Sequence, residues 1–313
     1  MNELRKDYIL DRWVIIAEER KKRKREFKKE ESKKESKTCF FCPGNEKLTP
    51  KETGRLEYKN KWKIRWFPNL FPFVEAKCKD FKTSNLFRKK CAYGFHEVLV
   101  ETPEHDKQLS DLSEEDIRNV LMVYALRIKE LSVEKNVKYV LVFKNHGREA
   151  GTSLIHSHTQ IVSLDMVPTD IKMEMDAVKK SKGCPYCSII KKESKSKRRI
   201  LENDDFAAFA PFASRFNYEA WIFPKKHVIN ITQFKGKELL NLAKVLKKML
   251  VRLAKINASY NFCLHYGFKE SGGDLHFHME IQPRIATWGG FENSSGIIIN
   301  SVSPEMAAEF YRG

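Results

Sequence analysis

The chain has 313 residues, 42% of them apolar and 21 of them phenylalanine, enough for two domains with true hydrophobic cores. No apolar stretch is long enough to span a membrane, and the charged start (Met1, Asn2, Glu3, Leu4, Arg5, Lys6, Asp7) has no apolar h-region of a secretory signal after it, so a cytoplasmic protein is expected. The net charge of +17 raises nucleic acid as a partner, but the excess lies in lysine runs from Lys21 to Lys34 and from Lys191 to Arg199 with few aromatics between them, so solvated faces are expected and nucleic acid is not.

In chain order, Trp13-Val14-Ile15-Ile16-Ala17 predicts a strand within 8–18, and 19–38 a charged loop or helix. Residues 62–74 are apolar and broken by Pro68 and Pro72, too irregular for a helix. Strands are expected over 96–101 and 138–144, around a long helix from Leu109 to Glu134 capped near Ser113. The polar loop from Asn145 through Gly147 and Gly151 to Ser153 suits phosphate oxygens. A strand over 153–164 then places His156, His158 and Gln160 on one face, a row able to combine a phosphorus nucleophile with a metal ligand. Residues 165–183 read as a linker with a short helix. Strands at 206–211 and 219–223, a helix at 235–257, strands at 261–268 and 275–282, and a helix at 304–311 complete the chain.

The order of motifs occurs twice. Cys39-Phe40-Phe41-Cys42 opens one half and Cys184-Pro185-Tyr186-Cys187 the other. Each is followed by a strand ending in Pro and His, at His105 and His227, and then by His-x-His, at His156/His158 and His276/His278. Duplication of one domain is therefore expected, 1–170 and 171–313. In a reducing compartment Cys-x-x-Cys reads as a metal or redox site. The four-ligand preference of zinc selects Cys39, Cys42, His105 and His156, then Cys184, Cys187, His227 and His276, as two structural sites. Cys78, Cys91 and Cys263 read as packing residues, and His96, His146 and His265 are left over, with His146 the best placed to meet a phosphate.

His156-Ser157-His158-Thr159-Gln160 resembles the His-x-His-x-Gln signature of galactose-1-phosphate uridylyltransferases, a branch of the histidine triad superfamily. Further matches are Trp13-Val14-Ile15-Ile16 with Arg20 and Arg23, the segment from Phe67 to Pro72, the loop from Asn145 to Ser153, and Gly290-Phe291-Glu292. Lys24 and Ser157 depart from the prolines common in the family, and the second Cys-x-x-Cys resembles archaeal-type enzymes and the related plant ADP-glucose phosphorylases. The resemblance implies an α+β fold of two tandem histidine-triad-like domains, each a mainly antiparallel sheet with helices packed on it. It also implies a homodimer and a second metal site able to hold iron.

For chemistry, the resemblance implies a ping-pong reaction in which His158 takes UMP from UDP-glucose and passes it to galactose 1-phosphate. Gln160 and Ser153 would donate to phosphate oxygens. Arg20, Arg23, Asn69, Asn145, Gly151, Thr152, Phe291 and Glu292 would bind the substrate. Gln160 stands where histidine triad hydrolases place a third histidine. It cannot deliver a proton, which suits a phosphate leaving group that departs unprotonated. His278 is the positional counterpart of His158, but its loop carries Glu270 and Asp274, which repel phosphate, so a degenerate second site is expected, with His278 structural or binding a sugar phosphate. Three other readings are adenylyl transfer from ADP-glucose to phosphate, nucleotide hydrolysis, and a non-catalytic zinc protein that binds nucleic acid.

Overall fold

The computed structural model describes residues 2–6, 13–16, 38–77, 81–268 and 275–313. Arg20, Arg23 and the first lysine run lie outside them, as do Cys78, Glu270 and Asp274. The strands are β1 (Glu3–Lys6), β2 (Trp13–Ile16), β3 (Gly54–Tyr58), β4 (Lys61–Pro68), β5 (Lys89–Cys91), β6 (His96–Val100), β7 (Tyr139–His146), β8 (His158–Leu164), β9 (Arg199–Glu202), β10 (Phe206–Phe209), β11 (Ala220–Pro224), β12 (Tyr260–His265) and β13 (His278–Pro283). The helices are α1 (Glu114–Ser132), α2 (Thr169–Lys179), α3 (Pro185–Glu193), α4 (Gly236–Lys255), α5 (Gly290–Ser295) and α6 (Pro304–Arg312). The mixture of helices with antiparallel sheet is the α+β class expected. Among the described residues no helix is long and apolar enough to cross a membrane.

The chain forms two compact units. The first holds residues 1–106, 126–142 and 153–170. Its strands run β2-β1-β5 in one sheet and β3-β4-β6-β8 in another, the latter followed by residues 139–142 of β7. In β4, exposed Lys61 and Lys63 alternate with buried Trp62 and Ile64, and Ile64, Arg65, Trp66 and Phe67 are then all buried, a strand in a segment read from its prolines as too irregular for a helix. Phe41 of the Cys39–Cys42 turn packs on Trp62, Phe67, Val98 and Val100, so the cysteine turn is part of the core. Cys91, expected to be a packing residue, is disulfide-bonded.

The second unit holds residues 107–125, 143–152 and 171–313. Its sheet runs from residues 143–146 of β7 through β12, β13, β11 and β10 to β9. α4 buries Leu239, Leu242, Leu246, Met249, Leu250 and Leu253, the i, i+3, i+4, i+7 stripe of an amphipathic helix. α3 starts on Cys184 with Pro185 in its first turn, where the missing N–H costs nothing. Tyr186 and Trp221 cover a core of Ile190, Ala207, Phe209 and Phe223.

The expected helix over 109–134 divides into a short 3-10 turn (Leu109–Asp111) and α1, with Ser113 Oγ accepting from Asp116 N–H at 3.0 Å. The reactive strand is also shorter than expected. It begins at His158, and His156 lies in a bend before it. The entry is held from behind by Glu101, whose main-chain N–H donates to Ser157 O at 3.2 Å. The Glu101 carboxylate accepts from Ser157 Oγ and from Thr159 Oγ1, each at 2.5 Å, and all three side chains are buried. These hydroxyls occupy the two positions that flank His158, so their face is opposite to that of His158 and Gln160. Glu101→Ala leaves both hydroxyls without their charged acceptor and is expected to lower stability by about 3 kcal/mol. Urea unfolding measures this, and a midpoint equal to that of the wild type would remove the clamp from the account.

Candidate active site and metal centres

In the first unit the bend at His156 turns its ring toward the Cys39–Cys42 turn. Its Nδ1 lies 3.5 Å from Cys39 Sγ and 3.6 Å from Cys42 Sγ, and His105 Nδ1 lies 3.4 Å from Cys42 Sγ. All four ligand atoms fall within 4.8 Å of one another. A tetrahedral ion with thiolate and imidazole ligands has S···N edges of about 3.6 Å, so the four groups already stand at the corners of such a site. His156 Nε2–H donates to the Thr102 carbonyl at 2.8 Å, which leaves the Nδ1 lone pair facing the sulfurs. Burial holds the His156 pKa below its ordinary value, so the ring is in the neutral, ligating form.

The second unit repeats this arrangement. His276 Nδ1 lies 3.7 Å from Cys184 Sγ and 3.5 Å from Cys187 Sγ, and His227 Nδ1 lies 3.6 Å from Cys187 Sγ. His276 Nε2–H donates to the Pro224 carbonyl at 3.0 Å. Burial, with His227 beside it, lowers the His276 pKa to about 4. Burial and the neighbouring Cys184 push Cys187 up to about 11, so Cys187 keeps its proton until a cation displaces it. Each set of four residues chosen from sequence is thus brought together and can hold a metal ion.

His158 presents the opposite ring nitrogen. Its Nδ1–H donates to the main-chain carbonyl of His156 at 2.8 Å, leaving the lone pair on Nε2. The ring stands edge-on to Phe41, with centroids 5.4 Å apart, and is buried to 8% exposure. Gln160, two residues along β8, places Oε1 2.9 Å from His96 Nε2, and Asn69 Nδ2 lies 3.0 Å from the same nitrogen. His158, Gln160, Ser153 and Asn69 belong to the first unit; Asn145, Gly151, Thr152, Phe291 and Glu292 belong to the second. Within the second unit, Asn145 Oδ1 accepts from Asn261 Nδ2 at 2.8 Å, which holds the start of the polar loop. Gly151 has φ +83, a left-handed conformation, and its amide donates to Arg148 O. His146 is stacked on Tyr260 at 4.6 Å, and its Nδ1–H donates to Gln108 Oε1. In α5, Phe291 is exposed and Glu292 Oε2 accepts from Gly289 N–H. In the second lysine run, Arg198 pairs with Glu193 and Glu305, which fits a paired surface.

His278 copies the local geometry of His158. Its Nδ1–H donates to the His276 carbonyl at 3.0 Å, so Nε2 is again the ring nitrogen turned away from the main chain. What faces that nitrogen differs. His278 is fully buried, and Glu174 and Glu280 stand 3.7 and 3.8 Å from Nε2. The sequence reading missed the group Glu174, His265, His278 and Glu280, whose ligand atoms lie within 4.8 Å of one another. Its interactions close on themselves. His265 Nδ1–H donates to Glu174 at 2.7 Å, Tyr186 donates to Glu174, and Arg215 and Gln282 donate to Glu280. Burial raises the pKa of Cys263 and would by itself lower His265. Cys263 beside it, and then Glu174 and Glu280, outweigh burial, and His265 is held well above its ordinary value. Burial would raise Glu280, but His278, His265 and Arg215 hold it down to about 2. The signal available in sequence was Glu280 at the place of Gln160; Glu174 comes from the linker helix and nothing in its neighbourhood marks it.

Two family profiles match the chain. One, described as galactose-1-phosphate uridyl transferase, N-terminal domain, matches residues 1–168, and the other, a domain of unknown function (DUF4921), matches 96–310. The chain is 33% identical to ADP-glucose phosphorylase of Arabidopsis thaliana, over 99% of this chain and 92% of that protein. It is 30% identical to galactose-1-phosphate uridylyltransferase of Thermotoga maritima, over 100% of this chain and 98% of that one. Among solved structures it is similar to a uridylyltransferase, with a TM-score of 0.83, 28% identity, and 99% and 97% of the two chains covered. It is likewise similar to an ADP-glucose phosphorylase from Arabidopsis thaliana with bound ADP-glucose, with a TM-score of 0.76, 30% identity, and 100% and 98% covered.

Elemental analysis of protein purified without chelators is expected to give one ion per Cys/His cluster. Cys42→Ser and Cys187→Ser should each remove one ion and leave the other. A variant that keeps its full metal content would sink the assignment of the cluster it alters.

Proposed function

We propose, from the premise that this chain belongs to the galactose-1-phosphate uridylyltransferase family and is a nucleotidyltransferase, that it transfers UMP from UDP-glucose to galactose 1-phosphate through a covalent intermediate on His158. The observation that carries this reading is the His158 Nδ1–H bond to the His156 carbonyl, which leaves Nε2 as the nucleophilic nitrogen. In the first step a bond forms between Nε2 and the α-phosphorus, and the bond from that phosphorus to hexose 1-phosphate breaks. In the second, a phosphate oxygen of the acceptor attacks the same phosphorus and returns the electron pair to Nε2. Each leaving group departs with its charge spread over phosphate oxygens or the imidazole, so positioning and charge stabilisation carry the catalysis.

Gln160 and Ser153 act as donors to the non-bridging oxygens. Asn145, Gly151 and Thr152 take the phosphates, Arg20, Arg23 and Asn69 the rest of the nucleotide, and Phe291 and Glu292 the hexose. Zinc fits both Cys/His clusters in donor set and spacing, and iron is the alternative in the second. In the first cluster the ion would hold His156, and with it the carbonyl that sets the His158 ring. We read the two clusters as marks of a duplicated histidine-triad-like domain, 1–170 and 171–313, in a cytoplasmic homodimer.

A second reading, AMP transfer from ADP-glucose to phosphate, is favoured by the Arabidopsis relative at 33% identity and by the second Cys-x-x-Cys. Intact-protein mass spectrometry after mixing with UDP-glucose, and separately with ADP-glucose, decides between them. A UMP adduct discharged by galactose 1-phosphate is expected. An AMP adduct discharged by inorganic phosphate would move the enzyme to the second reading. His158→Ala should abolish the adduct, whereas His278→Ala should retain it, because His278 is buried against two carboxylates. The reverse pattern would overturn the choice of nucleophile.

A further inference from the structure

His96 carries two contacts that one imidazole nitrogen cannot satisfy together. Its Nε2 lies 2.9 Å from Gln160 Oε1 and 3.0 Å from Asn69 Nδ2. The Asn69 amide is turned by Phe71, whose main-chain N–H donates to Asn69 Oδ1 at 2.9 Å, so the NH2 group is what faces His96. Nε2 offers one position in the ring plane, either a proton or a lone pair. With a proton it donates to Gln160 and opposes an N–H of Asn69. With a lone pair it accepts from Asn69 and opposes the oxygen of Gln160. The ring is 4% exposed and packs on Phe73, with centroids 4.4 Å apart, so bulk water does not relieve the mismatch. A buried polar contact left unmet is destabilising, and a ligand can remove that strain by taking one of the two amides.

Resting on the nucleotidyl-transfer reading above, we propose that His96 is a positioning residue that links Asn69 to Gln160. When a nucleotide takes the Asn69 amide, the single ring proton moves from Nδ1 to Nε2. The imidazole stays neutral, and Nε2–H donates to Gln160 Oε1. Among the described residues this is the only hydrogen bond of the Gln160 side chain, so it alone sets the direction of the amide. With Oε1 held, the NH2 group is left for a phosphate oxygen. While Asn69 holds the Nε2 lone pair instead, the Gln160 amide is driven to rotate and presents its oxygen, which repels phosphate. Binding of the nucleotide thus aims the phosphate donor.

Nitrogen NMR of histidine-labelled wild-type protein reads the tautomer directly. Saturating UMP or AMP is expected to move His96 from the Nδ1–H to the Nε2–H form, and Asn69→Ala should show the Nε2–H form without nucleotide. A His96 signal that neither UMP, AMP nor Asn69→Ala changes would overturn the link. The second measurement is the single-turnover rate of adduct formation with whichever sugar nucleotide charges the wild type. Gln160→Ala is expected to slow it about 100-fold, and His96→Phe about tenfold or more. The double variant should be no slower than Gln160→Ala alone, because His96 acts through Gln160. Losses that multiply in the double variant would also overturn the link. Absence of any wild-type adduct would instead count against the nucleotidyl-transfer reading, and the NMR experiment would still decide the role of His96.

Discussion

Main-chain carbonyls decide which nitrogen each histidine of the His-x-His pair presents. Thr102 O takes Nε2–H of His156, so Nδ1 turns to the cysteines; His156 O takes Nδ1–H of His158, so Nε2 keeps the lone pair. The two imidazoles of one motif are thereby given opposite tautomers. The constraint depends on the bend at 155–156, since a strand that began at Ser153 would aim both rings the same way. It depends in turn on Glu101, which binds the alternate residues Ser157 and Thr159 and so sets the face and register of β8. The Cys39–Cys42 turn, packed into the core through Phe41, supplies the other side of the cluster that receives His156.

The second unit keeps the same backbone logic and alters what stands in front of it. Pro224 O and His276 O bind His276 and His278 just as Thr102 O and His156 O bind His156 and His158. His278, however, faces Glu174 and Glu280 in a closed network with His265, Tyr186 and Arg215. A phosphate at that place would lose its hydration and meet two carboxylates. The two units thus share the hydrogen bonds that orient the His-x-His pair and differ in the charges that face it.

The degree to which the site could be read in advance follows from how local each signal is. Cys-x-x-Cys and His-x-His are short motifs whose side chains ligate wherever the chain folds them together, so both clusters were readable from residue type and order. The helices α1 and α4 were readable because apolar residues return at helical spacing. β4 was obscured by its prolines, and α3 by being taken only as a cysteine motif. The group around His278 was not readable because Glu174, His265 and Glu280 come from α2, β12 and β13 with no spacing in common.

Sequence by itself determined the family, the duplicated motif order and the two sets of Cys and His residues that can hold a metal, and it supplied the proposed choice of His158 over His278, since these rest on residue identity and on charge in neighbouring segments. Only the tertiary structure decided which nitrogen each histidine offers, that His156 leaves the strand, and that His96 stands between Asn69 and Gln160. The place of His96 depends on hydrogen bonds between residues 27 and 64 positions apart, Asn69 to His96 and His96 to Gln160, and the nitrogen that His156 offers depends on one 54 positions apart. A hydrogen bond requires atoms to be placed within a few tenths of an ångström, and only the packed fold sets distances that finely.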